Sequence, residues 1–150
     1  MLALVGGNIH TMEGKILEKG IVLMEDGKIK AVGQDIKLPD GVEILDVSGK
    51  YVFPGFIDAH CHIGLFEEGI GEIGEEGNEM TDPVTPQLRA IDGINPGDIA
   101  FRDAIKSGIT CAFTGPGSAN VIGGQSVALK TFGKVIDHMV VKSPAGLKIA

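Results

Sequence analysis

The stretch Pro54-Gly-Phe-Ile-Asp-Ala-His-Cys-His62 decides how the rest of the chain is interpreted, because it joins a short apolar run to two histidines. Residues two apart in a β-strand point to the same face, so Asp58, His60 and His62 are predicted to share one side. Two imidazoles at that spacing can reach one divalent ion at the end of a strand, and Asp58 could orient one of them. A His-x-His pair is also common on surfaces and in hydrogen-bonded cores, so the residues alone leave both interpretations open.

The residues before this stretch predict a small β domain over 1–54. Apolar runs at 21–24 and 28–32 flank Asp26-Gly27, which is a strong hairpin signal because the turn requires positive φ. No helical period is present, so we expect a small antiparallel sheet with one buried face and no functional site. His10 lies in this domain and is interpreted as a structural or surface histidine.

The residues after the stretch predict longer elements, which we assign to a second domain over 55–150. A helix is expected at 98–107, followed by Gly108 as C-cap and by a buried strand at 109–113. The apolar stripe of that helix is predicted to comprise Ile99, Ala100, Ala104 and Ile105. With a strand at 56–60, these elements form a βαβ unit of an α/β domain.

Composition and charge exclude several classes of protein. A chain of 150 residues with 43% hydrophobic residues is long enough to bury a core, and a net charge of −7 argues against a nucleic-acid partner. No apolar run approaches the roughly 18 residues of a membrane helix, and the first residues lack a signal-peptide pattern, so a cytoplasmic protein is expected. Cys61 and Cys111 fit a reducing compartment and are interpreted as buried thiols.

The histidine motif in its context resembles the first-strand motif of the amidohydrolase superfamily, and residues 1–54 resemble that family's small β segment. Two further segments, NEMTDPVTPQLRAIDGINPGD at 78–98 and GPGSANVIGGQ at 115–125, resemble the imidazolonepropionase-related and prolidase-like branch. The resemblance extends over essentially the whole chain. It implies the N-terminal part of a (β/α)8 TIM-type barrel, preceded by a small β-sandwich segment.

The resemblance also implies a metal-dependent hydrolase in which activated water attacks a cyclic amide, a dipeptide-like substrate or another C–N bond. One or two divalent ions are implied, Zn first, with Mn, Fe or Ni as alternatives. By motif matching, His60 and His62 take the first two metal-ligand roles. A lysine or other source of a bridging carboxylate, two later histidines and an aspartate base are expected beyond Ala150, so no catalytic or substrate-binding residue is assigned. His138 is interpreted as a structural or surface histidine.

Two loop segments leave alternatives open. Residues 64–97 are rich in Glu and Asp, which is typical either of a lid that favours a cationic substrate or of a solvated loop, and we favour the solvated loop. Residues 115–120, GPGSAN, lack the third glycine of a phosphate-binding turn, so a tight turn is favoured. Asn120 and Gln125 remain alternative substrate contacts.

The chain length leads to the last expectation. A complete barrel requires about 250 residues, so residues 55–150 are expected to hold only the first two or three βα units. The strand at 109–113 would then expose an open apolar edge, which we expect the C-terminal portion of the barrel, another chain or a homo-oligomer to cover. We expect a small-molecule substrate and no activity in the chain alone. The competing hypothesis is a non-catalytic binding or structural module descended from the family.

Overall fold

The computed structural model describes all residues, Met1–Ala150, and they group into two compact units, Met1–Pro54 and Gly55–Ala150. The first unit contains five strands: β1 (Leu2–His10), β2 (Ile16–Glu25), β3 (Lys28–Gly33), β4 (Glu43–Asp46) and β5 (Tyr51–Val52). The second unit contains β6 (Phe56–Cys61), a 3-10 turn (Gly71–Gly74), α1 (Ala90–Gly93), α2 (Ile99–Lys106), β7 (Ile109–Thr114), β8 (Ile122–Lys130), α3 (Ile136–Met139) and β9 (Val140–Ile149).

The first unit is a mixed sheet in the order β3-β2-β1-β4, with β5 also paired to β1. The predicted hairpin is confirmed: Glu25 pairs with Lys28, and both intervening residues, Asp26 and Gly27, have positive φ. The prediction of a purely antiparallel sheet is wrong, because β4 and β5 pair with β1 in parallel. The connection before β4 returns the chain to the start of β1 instead of turning back beside β3, and β5 then pairs with the end of β1.

The second unit contains one sheet in the order β6-β7-β8-β9. Strands β6 and β7 are parallel and are joined through α2, which confirms the predicted βαβ unit. Strands β8 and β9 are antiparallel to their neighbours. A parallel partner needs a crossover of a dozen or more residues, and the turn at 115–121 is too short for one. The expected second or third βα unit is therefore replaced by an antiparallel β8/β9 pair.

This sheet order corrects the predicted edge. The strand at 109–113 belongs to β7, which pairs with β6 on one side and β8 on the other. The edges of the sheet are β6 and β9. Strand β8, which follows the turn at 115–121, pairs with the edge of β7 that is predicted from the sequence to be open.

Helix α2 lies within one residue of the predicted bounds. The Asp98 side chain caps its first turn by accepting a hydrogen bond from Ala100 N at 3.1 Å, and Gly108 beyond its end has a φ of +85°. The predicted stripe is wrong in one respect: Ile99 is 43% exposed, whereas Phe101 is 4% exposed. The buried face runs through residues 101, 104 and 105, and Ile99 lies on another side of the helix.

The core of this unit includes residues from the long segment at 64–97. Leu65, Ala90 and Ile94 are buried in the same cluster as Phe101 and Leu129. The main chain of the segment also bonds to β8, since Thr85 N donates to Ile122 O at 2.8 Å. The segment is therefore attached to the packed structure, and the preferred interpretation of a merely solvated loop is wrong for Leu65, Ala90 and Ile94, whereas Ile73 and Met80 are exposed. None of the helices is long and apolar enough to span a membrane.

Replacement of Leu129 by Ala should destabilise the protein by about 2–5 kcal/mol, because the side chain is fully buried and its loss leaves a cavity. Chemical denaturation followed by circular dichroism measures the free energy of unfolding. Leu147→Ala is the matched control, since Leu147 is 47% exposed in the same sheet. Equal losses for the two variants would contradict the assignment of the core.

Replacement of Asp98 by Ala should cost about 1 kcal/mol or more, because it removes the helix cap. The Asp98 Oδ1 atom accepts from Ala100 N and also from Glu68 N at 3.2 Å, so two amides lose their acceptor. Asp98→Asn keeps an oxygen at that position and should retain most of the stability. The same denaturation measurement applies, and an Asn variant as unstable as the Ala variant would contradict the capping role.

Candidate metal centre

The end of strand β6 departs from regular pairing at the histidine motif. Asp58 pairs with Ala112 and Cys61 with Thr114, so β6 advances three residues where β7 advances two. Such a bulge places one extra residue in the strand and changes the direction in which its side chains point. The strict alternation predicted from the sequence is interrupted between Asp58 and His60.

The two histidines lie beside each other after this bulge. The rings of His60 and His62 are in a T-shaped arrangement with their centroids 5.4 Å apart. Two imidazoles on one tetrahedral ion have centroids about 5 Å apart, given metal–nitrogen distances of ~2.1 Å. His60 is exposed and His62 is half-buried. The pair therefore fits two adjacent ligands of one divalent ion.

The tautomer of His62 follows from its hydrogen-bond partner. Its Nδ1 atom lies 2.7 Å from the carbonyl oxygen of Gly115, directly after β7. A carbonyl oxygen only accepts, so Nδ1 carries the proton and donates it. The lone pair of the neutral ring is then on Nε2. Histidines that bind metals commonly donate their other N–H to a main-chain carbonyl in this way.

Asp58 holds the main chain of the motif instead of an imidazole ring. Its Oδ1 atom accepts a hydrogen bond from His60 N at 3.1 Å, which stabilises the bulge. Asp58 and His62 both line a cavity of about 390 Å³ beside α2, whereas His60 lines a different cavity, which His62 also lines. The prediction that Asp58 shares one face with both histidines is therefore wrong for His60, and the bulge is the reason.

A cavity of about 250 Å³ lies against both histidines and is lined in addition by Cys61, Phe113, Gly115, Pro116, Ser126, Leu147, Lys148 and Ile149. Lys148 is not among the residues predicted from the sequence, because the remaining polar ligands are expected beyond Ala150. Lys148 lies on β9, opposite Gly124 of β8, and is half-buried. The feature of the sequence that could have identified this residue is a single lysine within the apolar run Leu147-Lys-Ile149.

The other donor residues do not converge on this cavity. No group of three or more His, Cys, Asp and Glu residues is close enough to hold a metal ion. Burial raises the pKa of the Cys61 thiol, whose Sγ donates to Phe113 O at 3.6 Å, so this side chain stays protonated near neutral pH. Both cysteines are free.

Residues 115–120 form a turn whose polar side chains bind protein atoms. The Asn120 side chain is 4% exposed and clamps the long segment: Oδ1 accepts from Glu79 N at 3.1 Å, and Nδ2 donates to Glu79 O at 2.8 Å and Asp82 O at 3.1 Å. Gln125 Nε2 donates to Pro86 O at 3.1 Å. Both residues had been considered as substrate contacts, and the structure uses them to hold residues 79–86 in place.

The remaining candidates are not among the residues that line the cavity. None of the acidic residues of the 64–97 segment lines it. His138 is exposed on α3. In the first unit, the His10 ring stacks on Phe53 with a centroid distance of 4.3 Å. These placements agree with the structural or surface roles predicted for the two histidines.

Comparison with known proteins finds relatives that are named amidohydrolases. No protein-family model matches it. The crystal structure of an amidohydrolase from Thermotoga maritima MSB8 matches 99% of this chain with a TM-score of 0.93 and 44% identity, and the chain covers 38% of that protein. Amidohydrolase tasK of Hapsidospora irregularis is 31% identical over 115 residues, which are 77% of this chain and 11% of tasK.

A shorter match is the dihydroorotase of Caldicellulosiruptor saccharolyticus, which is 45% identical over 56 residues, or 37% of this chain and 13% of that enzyme. The chain thus spans much less than two thirds of each protein that it matches. The Thermotoga amidohydrolase nevertheless matches nearly all of its residues and shares their fold, and the tasK match extends over 77% of the chain. The chain therefore belongs to the amidohydrolase superfamily and corresponds to the N-terminal portion of a member.

Proposed function

We propose that this chain is the N-terminal portion of a metal-dependent hydrolase that cleaves an amide or another C–N bond in a small molecule. The observation that carries the proposal is the adjacent pair His60 and His62, with His62 Nδ1 bonded to the Gly115 carbonyl. The names of its relatives, amidohydrolase and dihydroorotase, support the reaction class. Cyclic amides and dipeptide-like compounds are the proposed substrates.

The proposed architecture of the whole protein is a (β/α)8 barrel in which β6 and β7 are neighbouring strands. A parallel pair joined by a helix is the repeating unit of that fold, and active sites lie at the carboxyl ends of its strands. His62 and Gly115 follow β6 and β7 at that end. The remaining strands, about 250 residues being usual for the fold, would come from the rest of the protein or from another chain, and a homo-oligomer is compatible with either arrangement.

The proposed metal ligands within this chain are His60, His62 and Lys148. Each histidine would bind through a ring nitrogen, and for His62 that atom is Nε2 because Nδ1 is occupied. A lysine ammonium cannot ligate a cation, but the neutral amine reacts with CO₂ to form a carbamate and release a proton. The carbamate oxygens would then serve as the bridging carboxylate that the family resemblance implies. Zn is the proposed ion, one or two per site, with Mn, Fe or Ni as alternatives.

The chemistry supplied by the ion is Lewis-acid activation, in which the pKa of a bound water falls toward ~7 and the scissile carbonyl is polarised. The residues of this chain would orient the ion and exclude bulk water from one side of it. The later histidines and the aspartate base implied by the resemblance are not supplied by residues 1–150. We therefore propose that this chain alone is inactive.

We propose that the protein is located in the reducing cytoplasm. The two free cysteines support this proposal. A nucleic-acid partner is not proposed, because the chain has 13 basic residues against 20 acidic ones. A membrane partner is not proposed either.

Metal analysis of the purified protein should find a transition metal at near-stoichiometric content, and His60→Ala and His62→Ala should each lose most of it. His138→Ala is the matched control, since His138 is exposed and lies outside the cavity. Inductively coupled plasma mass spectrometry after dialysis measures the content. A protein that takes up no metal would overturn the proposal and favour the non-catalytic binding or structural module.

Replacement of Lys148 by Ala should lower the metal content and abolish hydrolysis in the whole protein, because the carbamate oxygens are lost. A short carboxylic acid such as acetate, which can occupy the vacated space, should restore part of the activity. Lys142→Ala is the control, since Lys142 is exposed on the same strand. Full activity in Lys148→Ala would exclude this residue from the centre.

A further inference from the structure

Gly115 makes two main-chain hydrogen bonds to the end of β6. Its N–H donates to the carbonyl oxygen of Cys61 at 3.3 Å, and its own carbonyl oxygen accepts from His62 Nδ1 at 2.7 Å. The first bond sets the distance between the two strand ends, and the second sets the proton position on the imidazole. A neutral imidazole free in water prefers the proton on Nε2, so the contact with Gly115 reverses the ordinary preference.

The place of Gly115 is fixed by its contact with β8. Ser126 is 4% exposed and packs directly against the backbone of residue 115. A Cβ atom on that residue would collide with Ser126 Oγ and would lie 2.7 Å from Ser126 Cβ. The neighbouring residues Thr114 and Val127 are paired in the β7/β8 ladder, so Ser126 cannot move aside without breaking it. Only glycine fits here without displacing the carbonyl.

The turn after β7 is also held on its other side, by hydrogen bonds to the segment at 77–82. Gly117 N donates to Gly77 O at 2.7 Å, and Ala119 N donates to Asn78 Oδ1 at 3.1 Å. The buried Asn120 side chain adds its bonds to the same segment. The turn after β7 is thus held by Ser126 on one side and by the segment at 77–82 on the other. These contacts limit how far the Gly115 carbonyl can move relative to His62.

We propose that Gly115 is a positioning residue for His62: its carbonyl holds the ring as the Nδ1–H tautomer with Nε2 free, and Ser126 restricts the position to glycine. The inference rests on the proposed function, since a free Nε2 matters because it is the atom assigned to the metal. Gly115 itself touches neither metal nor substrate. Its effect passes through the hydrogen bond to His62.

The test measures the tautomer of His62 in the metal-free protein by long-range ¹H–¹⁵N correlation NMR, in which the ¹⁵N shifts themselves identify the neutral form of the ring. The four histidine signals are assigned with His→Gln variants. The wild type should show the proton on Nδ1 of His62. Gly115→Ala should lose this preference, because the added methyl group displaces the carbonyl, and Gly115→Ala combined with Ser126→Gly should regain it, because the colliding side chain is gone.

Affinity for Co²⁺, followed by its visible absorption, is measured on the same proteins. Loss of a partner of this kind lowers metal affinity roughly 10–100-fold, so Gly115→Ala should bind Co²⁺ at least tenfold more weakly and the double variant should recover. Ser126→Gly alone is measured as the reference for the double variant, because Ser126 lines the same cavity and contacts Gly115. Amide NMR spectra show whether each variant is folded, and the wild-type tautomer tests the proposal even if Gly115→Ala does not fold.

The proposal is overturned if His62 of the wild type carries its proton on Nε2, or if Gly115→Ala changes the tautomer and leaves Co²⁺ affinity unchanged. It is also overturned if the double variant folds and shows no recovery. If the wild type binds no Co²⁺ but the tautomer of His62 still changes with the residue at position 115, the proposed metal centre is contradicted and the positioning role of Gly115 is not. The failure of the proposed function and the failure of the positioning role are thereby distinguished.

Discussion

The parallel pairing of β6 with β7 is the constraint on which the rest of the second unit depends. Because both strands run in the same direction, their carboxyl ends lie together, and the residue after β7 meets the histidines at the end of β6. The bond between His62 Nδ1 and the Gly115 carbonyl is a direct result. Helix α2 makes this pairing possible, since a parallel neighbour requires a crossover. Without it, the His62 imidazole would lack its main-chain partner.

Buried polar side chains also hold the segments of this unit together. Asn120 and Thr131 are almost fully buried, and each bonds to main-chain groups of another segment. Buried polar groups persist when such partners are available. The Asn120 bonds attach the segment at 79–82 to the turn after β7, and the Thr131 bond attaches the end of β8 to the start of β7.

Local patterns in the sequence predicted local structure well. The Asp26-Gly27 hairpin, the capped helix at α2 and the βαβ unit were all predicted, because each depends on residues close in the chain or on the period of one element. The order of strands was predicted less well. The parallel pairing of β4 depends on which distant strand has an open edge, and no local pattern carries that information.

For the candidate site, the sequence by itself determined that two histidines end an apolar strand and that the motif resembles a hydrolase family. Only the tertiary structure decided that a bulge separates Asp58 from His60, that Gly115 supplies a carbonyl to His62, and that Lys148 lines the same cavity. Residues 62, 115 and 148 are far apart in the chain, so their distances follow from strand pairing. The physical reason is that residue type and spacing specify what a group can bind, whereas packing specifies which groups meet.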